Sequence, residues 1–141
     1  MWLFKLLGSW HVRVYRLTGG RVGGRVPDGK VLLLITIGRK SGKTRVNPLV
    51  YLRDGDAYVI AGGSAGSPNH PGWYWNTLHG NHPVQIQVKG AIMMVNPVEA
   101  QGDQRERLKA RFFEHSPRFV DYHRQASKTR TVPIVMLTPI S

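Results

Sequence analysis

The apolar residues of this chain fall into short bursts of strand length and a few stretches at helical spacing. Val31 to Ile37 is a continuous apolar run and Val46 to Leu52 a second, each of strand length. Asp54-Gly55 reads as a hairpin turn, with Ala57 to Ala61 as the returning strand. Val84 to Val88 alternates apolar and polar residues, as a half-buried strand does; Lys89-Gly90 turns it, and Ala91 to Val95 continues as a strand. Val132 to Leu137 is the last strand. Met1 to Leu17 reads as an amphipathic helix, with Leu3, Leu6, Leu7, Trp10, Val14 and Leu17 on one face and Lys5, Arg13 and Arg16 opposite. Further helices are expected over Trp73 to His79, over Asp103 to Phe113 with Leu108, Phe112 and Phe113 inward, and over Pro117 to Gln125, where Pro117 suits a first turn. Thr18 to Lys30, broken by Gly19-Gly20 and Gly23-Gly24, reads as a loop, either a ligand-covering flap or a connector. About six short strands with a few helices give an α+β class, a barrel with helices around it, in a single domain spanning residues 1–141.

Between the first two strands lies the most distinctive polar stretch. Arg39, Lys40, Lys43 and Arg45 fall within seven residues, so a charged turn joins strand to strand. Such a turn gathers backbone N–H groups and fixed positive charge, which suits an anion, above all a phosphate. Gly42-Lys43-Thr44 looks like the end of a nucleotide P-loop but fails on spacing: Gly38 and Gly42 are separated by three residues where that motif needs four. It also needs a following helix, and Asn47-Pro48 enforces extended chain instead. Two uses stay open: a solvated basic hairpin tip, or a cofactor-phosphate site that needs a partner loop. Gly62 to Asn76 offers that partner. Its first half is Gly- and Ser-rich, allowing close backbone approach to a ligand, and its second half starts a helix at Gly72 or Trp73, whose first N–H groups can meet an anion.

Charge sharpens this picture. The net charge is +12, and residues 1–53 hold eleven cations against one anion. Candidate partners are therefore a polyanionic cofactor, an anionic membrane or nucleic acid. Aromatic residues do not interleave with the basic stretch Arg39 to Arg45, so nucleic acid is not expected. The first helix is too interrupted by Lys5, His11, Arg13 and Arg16 to span a membrane and lacks a signal-peptide pattern. With Trp2, Phe4 and Trp10 it suits a membrane interface or, equally, its own barrel. Cysteine is absent, which excludes disulfides and thiol chemistry and fits a cytoplasmic setting. Of six histidines only His79 and His82 are close together, with no carboxylate beside them, so a metal site is not expected. The eight acidic residues never cluster, and no Ser–His–acid set is visible. A cofactor is left to carry the chemistry.

Taken together, Gly38-Arg39-Lys40-Ser41-Gly42, then Arg45-Val46-Asn47-Pro48-Leu49, then His70-Pro71-Gly72-Trp73-Tyr74 with Asn76, resemble the nitroreductase-type family of deazaflavin-dependent oxidoreductases. These are small split β-barrel enzymes, akin to FMN-binding and pyridoxamine-phosphate-oxidase-like barrels, that use coenzyme F420, an 8-hydroxy-5-deazaflavin. The resemblance implies hydride transfer from reduced F420 to a small-molecule acceptor: a quinone, nitro compound or enone. It implies that Arg39, Lys40 and Ser41 meet the cofactor's phosphate and acidic tail, and that Arg45, Val46, Asn47, Pro48, Leu49 and Val50 run along the deazaflavin. Ala61, Gly62 and Gly63 would make backbone contacts, and Gly72, Trp73, Tyr74, Trp75 and Asn76 would close the phosphate end.

Two departures from the family pattern stand out. Gly63-Ser64 replaces the Ser-Lys of many relatives, removing one cation, and the segment from Tyr122 to Pro133 is slightly long. Three Tyr on the substrate side of some relatives correspond to Ser116, Phe119 and Tyr122, leaving Tyr122 as the candidate catalytic proton donor and implying a wider, less polar acceptor pocket. Alternatives are a split barrel using FMN and a non-catalytic basic module binding membrane or nucleic acid. Peripheral attachment to the inner face of the cell membrane is the corresponding expectation for location; the oligomeric state is left open.

Overall fold

The computed structural model describes residues 12–13, 15–16, 25–26, 29–63 and 66–140. Seven strands form one sheet: β1 (Arg25–Val26), β2 (Gly29–Ile37), β3 (Thr44–Asp54), β4 (Ala57–Ala61), β5 (Val84–Val88), β6 (Ala91–Glu99) and β7 (Ile134–Pro139). Among the described residues, three helices have defined bounds, α1 (Gly72–Leu78), α2 (Gly102–His115) and α3 (Pro117–Ala126). The strand order is β1-β2-β3-β4-β7-β6-β5, and β5 pairs back onto β2, so six antiparallel strands close a barrel. Every pairing is antiparallel.

Alternation along the strands decides what fills the barrel. Leu32, Leu34, Tyr51, Tyr58, Ile60, Ile86, Val95, Val135 and Leu137 form the inner cluster, capped at one end by Trp73 and Tyr74 of α1. The opposite face of β4 and β7 packs with Leu108 and Phe112 of α2 and Phe119 of α3. Outside β2, Val31 and Leu33 are covered by Tyr15. Val12, Arg13, Tyr15 and Arg16 are helical, and Tyr15 is fully buried while Arg13 and Arg16 are exposed. The Tyr15 hydroxyl donates to the Gln87 carbonyl (3.2 Å) and accepts from the Lys89 N–H (2.6 Å). At this turn the helix docks on its own barrel through Tyr15, a residue outside the apolar stripe expected from the sequence. Leu3, Leu6, Leu7, Trp10, Val14 and Leu17 lie outside the described residues.

Several boundaries move. Arg25–Val26, expected in a loop, pairs with Gly29 and Lys30; two residues are too few for alternation to show. β6 runs past Asn96-Pro97 to Glu99 because β7 pairs along it from Val95 to Glu99. Val132 precedes β7, yet its side chain is fully buried against the helices.

One irregularity creates the site. β2 pairs with β3 from Thr44 to Tyr51, whereas β4 pairs with β3 only at Leu52, Arg53 and Asp54. On its β4 side, therefore, β3 carries no ladder from Arg45 to Val50. That unpaired edge is why Pro48, which lacks an N–H, sits in an eleven-residue strand. Val46 to Val50 are all half-buried, as expected along an uncovered seam.

Candidate active site

The cationic turn is held shut locally. The Gly38 N–H donates to the Lys43 carbonyl (2.8 Å), the Gly42 N–H to the Gly38 carbonyl (2.8 Å), and the Lys43 N–H to Ser41 Oγ (3.2 Å). Gly42 has φ +69°, the left-handed region that favours glycine, and a Cβ on Gly38 would come within 2.5 Å of Ser41 Oγ. The turn leads into a strand, so the geometry is that of a hairpin and not of a P-loop.

Facing the turn is the start of α1. The Arg39 N–H donates to Asn76 Oδ1 (3.1 Å), tying turn to helix. Arg39 stands over the Trp75 ring with its guanidinium carbon 5.8 Å from the centroid. Between them lies a groove of about 240 Å³ bordered by Gly38, Arg39, Lys40, Ser41, Arg45, Gly72, Trp75 and Asn76. An adjoining hollow of about 250 Å³ is bordered by Arg45, Val46, Asn47, Pro71, Gly72, Trp73 and Asn76. Among the described residues, neither lining contains a carboxylate, the first turn of α1 holds no acid, and no side chain caps it. Three cations with open hydrogen-bonding capacity converge there, which fits a phosphate-bearing, polyanionic group.

At the far end of the unpaired edge the chemistry changes. Leu49, Val50, Ala61, Phe112, Ser116, Phe119 and Tyr122 line a cleft of about 130 Å³. Ligand pockets for whole drug-sized molecules start near 300 Å³, so the cleft takes one end of a flat ligand. Ser116 is buried as the N-cap of α3, where its Oγ accepts the Phe119 N–H (3.0 Å), so the helix sets the position of its hydroxyl. Phe112 and Phe119 rings pack 5.2 Å apart. The half-buried Tyr122 brings the cleft's remaining hydroxyl, which has no hydrogen-bond partner among the described residues.

The residues expected at the cofactor thus sort into groups. Arg39, Lys40, Ser41, Arg45, Val46, Asn47, Gly72, Trp73, Trp75 and Asn76 border the polar openings, and Leu49, Val50 and Ala61 the apolar cleft. Four border neither. Pro48 is half-buried in β3, opposite Leu33 of β2. Tyr74 is a core residue whose hydroxyl donates to Glu99 Oε1 (2.8 Å); burial, the hydrogen bond and the nearby charge push its pKa up to about 12. The carbonyls of Gly62 and Gly63 accept hydrogen bonds from Arg130. Arg130 escaped the sequence reading altogether. It was one basic residue in a stretch that looked slightly long, with nothing local to mark it.

Known proteins resemble the chain throughout. Residues 9–139 match the model of the F420H(2)-dependent quinone reductase family. The F420H(2)-dependent quinone reductase Rv1261c of Mycobacterium tuberculosis is 39% identical over 132 residues, covering 91% of this chain and 87% of that protein. Among solved structures, an F420-H2 dependent reductase (FDR-A) superposes with a TM-score of 0.65 at 28% identity, covering 76% of this chain and 92% of its own. A structure described as a pyridoxamine 5'-phosphate oxidase from Listeria innocua, at 10% identity and TM-score 0.51 over 79% and 84% of the two chains, shares the split-barrel fold. A barrel split along β3, a cationic groove at one end of the split and a sequence matched from residue 9 to 139 place this chain in the F420H(2)-dependent quinone reductase family.

Proposed function

We propose that this protein binds reduced coenzyme F420 along the unpaired edge of β3 and reduces a quinone-type acceptor held in the apolar cleft. The observation that carries the reading is the continuity of one strand through both environments, Arg45 in the cationic groove and Val50 in the cleft. Five residues of strand span about 16 Å at roughly 3.3 Å each. That is a suitable run for a ligand with phosphate at one end and a flat ring at the other. When bound, reduced F420 supplies the hydride. Arg39, Lys40 and Arg45 hold the anionic end, Asn76 fixes the turn that carries two of them, and Leu49, Val50, Phe112 and Phe119 exclude water around the ring and orient the acceptor. Tyr122 is the candidate proton donor to the acceptor oxygen, because its phenol lines the cleft and has no hydrogen-bond partner among the described residues. With Phe119 and the short Ser116 among its lining residues, this cleft favours apolar quinones over nitroaromatics.

Mixing the protein separately with F420 and with FMN, removing free ligand and recording which absorbance stays tests the cofactor. The deazaflavin spectrum is expected to persist; retention of FMN alone overturns the reading. Steady-state oxidation of reduced F420 with menadione and with a nitroimidazole then tests the acceptor, and a faster nitroimidazole reaction refutes the preference. Exposed Arg13 and Arg16, next to the Trp- and Leu-rich start of the chain, support peripheral contact with an anionic membrane as well. Removing residues 1–11 spares Tyr15 and should abolish co-sedimentation with anionic vesicles. A full chain that never sediments with them ends the membrane proposal.

A further inference from the structure

Arg130 lies in the connection between α3 and β7, 60 to 68 residues along the chain from most of what it holds. Its Nε donates to the Ser67 carbonyl (3.1 Å), one Nη to the Gly62 carbonyl (2.9 Å), and the other Nη to the Gly63 carbonyl (3.2 Å). The first Nη also meets His70 Nδ1 at 2.9 Å. A guanidinium has no acceptor, so His70 Nδ1 is the acceptor, and the ring is neutral with its proton on Nε2. Two further bonds join the same segments: Thr129 Oγ1 donates to the Pro68 carbonyl (3.3 Å), and the Gly62 N–H to the Pro133 carbonyl (2.8 Å). The approach is close, since a Cβ on Gly62 would lie 2.7 Å from Pro133 Cγ.

What is clamped here lies between the two openings. The chain just before Gly62 ends at Ala61, in the wall of the apolar cleft. The ring of His70 packs 4.5 Å from Tyr74 and 5.5 Å from Trp75, and Trp75 forms a wall of the cationic groove. We propose that Arg130 is a positioning residue. It fixes Gly62, Gly63, Ser67 and His70 relative to one another so that both walls of the split keep their places. The clamp itself follows from the geometry; its effect on the ligand rests on the F420 reading.

A consequence in pH follows from the acceptor role of His70. The groups facing it are Arg130 from the α3–β7 connection, Tyr74 of α1 and Glu99 at the end of β6. Burial first, then the charge of Arg130, hold the His70 pKa below its ordinary 6.5, with Glu99 pulling the other way. A histidine held low in the folded state contributes stability that is present above its ordinary value and lost as pH falls below it. Protonated His70 has no lone pair for Arg130, so the clamp loosens on the acid side.

The test is hydrogen exchange of the ligand-free full chain, read in peptides covering residues 62–71, with F420 titration alongside. Arg130→Gln should speed exchange there about tenfold or more, the equivalent of one lost charge-assisted bond, and leave β2 and β5 unchanged. Arg130→Lys should not restore protection, because a single ammonium cannot span the fork of acceptors. Wild type should lose protection in this segment between pH 7.5 and 5.5 beyond the change in intrinsic exchange, and His70→Asn, an acceptor that does not titrate, should flatten that dependence. Should Arg130→Gln not fold, the His70→Asn comparison carries the test. Unchanged exchange in Arg130→Gln, full rescue by Arg130→Lys, or a pH response that survives His70→Asn overturns the clamp. If wild type binds F420 and Arg130→Gln binds it equally well, the positioning role is wrong and the site stands. If wild type fails to bind F420, the site reading falls, and the exchange data still judge the clamp.

Discussion

The two ends of the split on β3 are made of the same strand and are unlike in every other respect. At the Arg45 end the walls are a glycine-closed turn and the start of a seven-residue helix, and three cations border the groove. At the Val50 end the walls are Phe112 and Phe119 from two packed helices, which belong to the core cluster beneath β4 and β7. The cationic end can therefore be altered without touching the fold, while the apolar end is part of what holds the fold together. On the proposed binding mode, a ligand lying along the edge would be gripped by charge at one end and shaped by packing at the other.

The sharpest separation should come from Phe112→Ala. Truncating a buried phenylalanine costs about 3–5 kcal/mol. At roughly 2–4 °C per kcal/mol for a chain of this order, Tm should fall by about 10 °C in calorimetry. A fall under 2 °C would mean that cleft and core are separable after all. Next, Tyr122→Phe should lower kcat with menadione about a hundredfold if its hydroxyl delivers the proton, with cofactor affinity unchanged. Full kcat with every acceptor would make Tyr122 packing only. Third, Lys40→Ala should weaken F420 binding about tenfold or more while Tm stays within a degree. Binding should also weaken with added salt, since these cations are exposed. Equal affinity in Lys40→Ala and Arg39→Ala would remove the groove from the binding site. The smallest effect concerns Thr36, across from Arg45 on β2, whose buried hydroxyl lacks a hydrogen-bond partner among the described residues, like that of Thr77 in α1. Thr36→Val should be neutral or stabilising by up to about 1 kcal/mol in denaturant melts. A marked loss of stability would reveal a bridging water there.

Much of this contrast was legible in the chain itself. Strand, cationic turn and strand follow from two apolar runs and four closely spaced cations, and the start of α1 from Pro71-Gly72 before an aromatic run. Those signals are local, and local spacing is what sequence patterns encode. The use of Pro48 was half legible: a proline in a strand announces an edge, but the edge exists because β4 leaves β3 after three residue pairs. Arg130 and Tyr15 were illegible for a common reason. Each acts on partners some 60 to 75 residues away, and neither sits at a position that periodicity marks. Tyr74 misled in the other direction, since an aromatic at a helix start reads alike whether it faces a ligand or Glu99.

The place of β7 in the sheet has a consequence for how the molecule is made. The last strand of the chain fills the gap between β4 and β6, so the barrel has no closed form until Ile134–Pro139 is available. During synthesis, everything upstream must wait with two open sheet edges, and Arg130 and Pro133 reach Gly62 only in the same late step. The wall between groove and cleft is therefore finished last. A nascent or C-terminally trimmed chain would carry the cationic turn and still be unable to hold a cofactor.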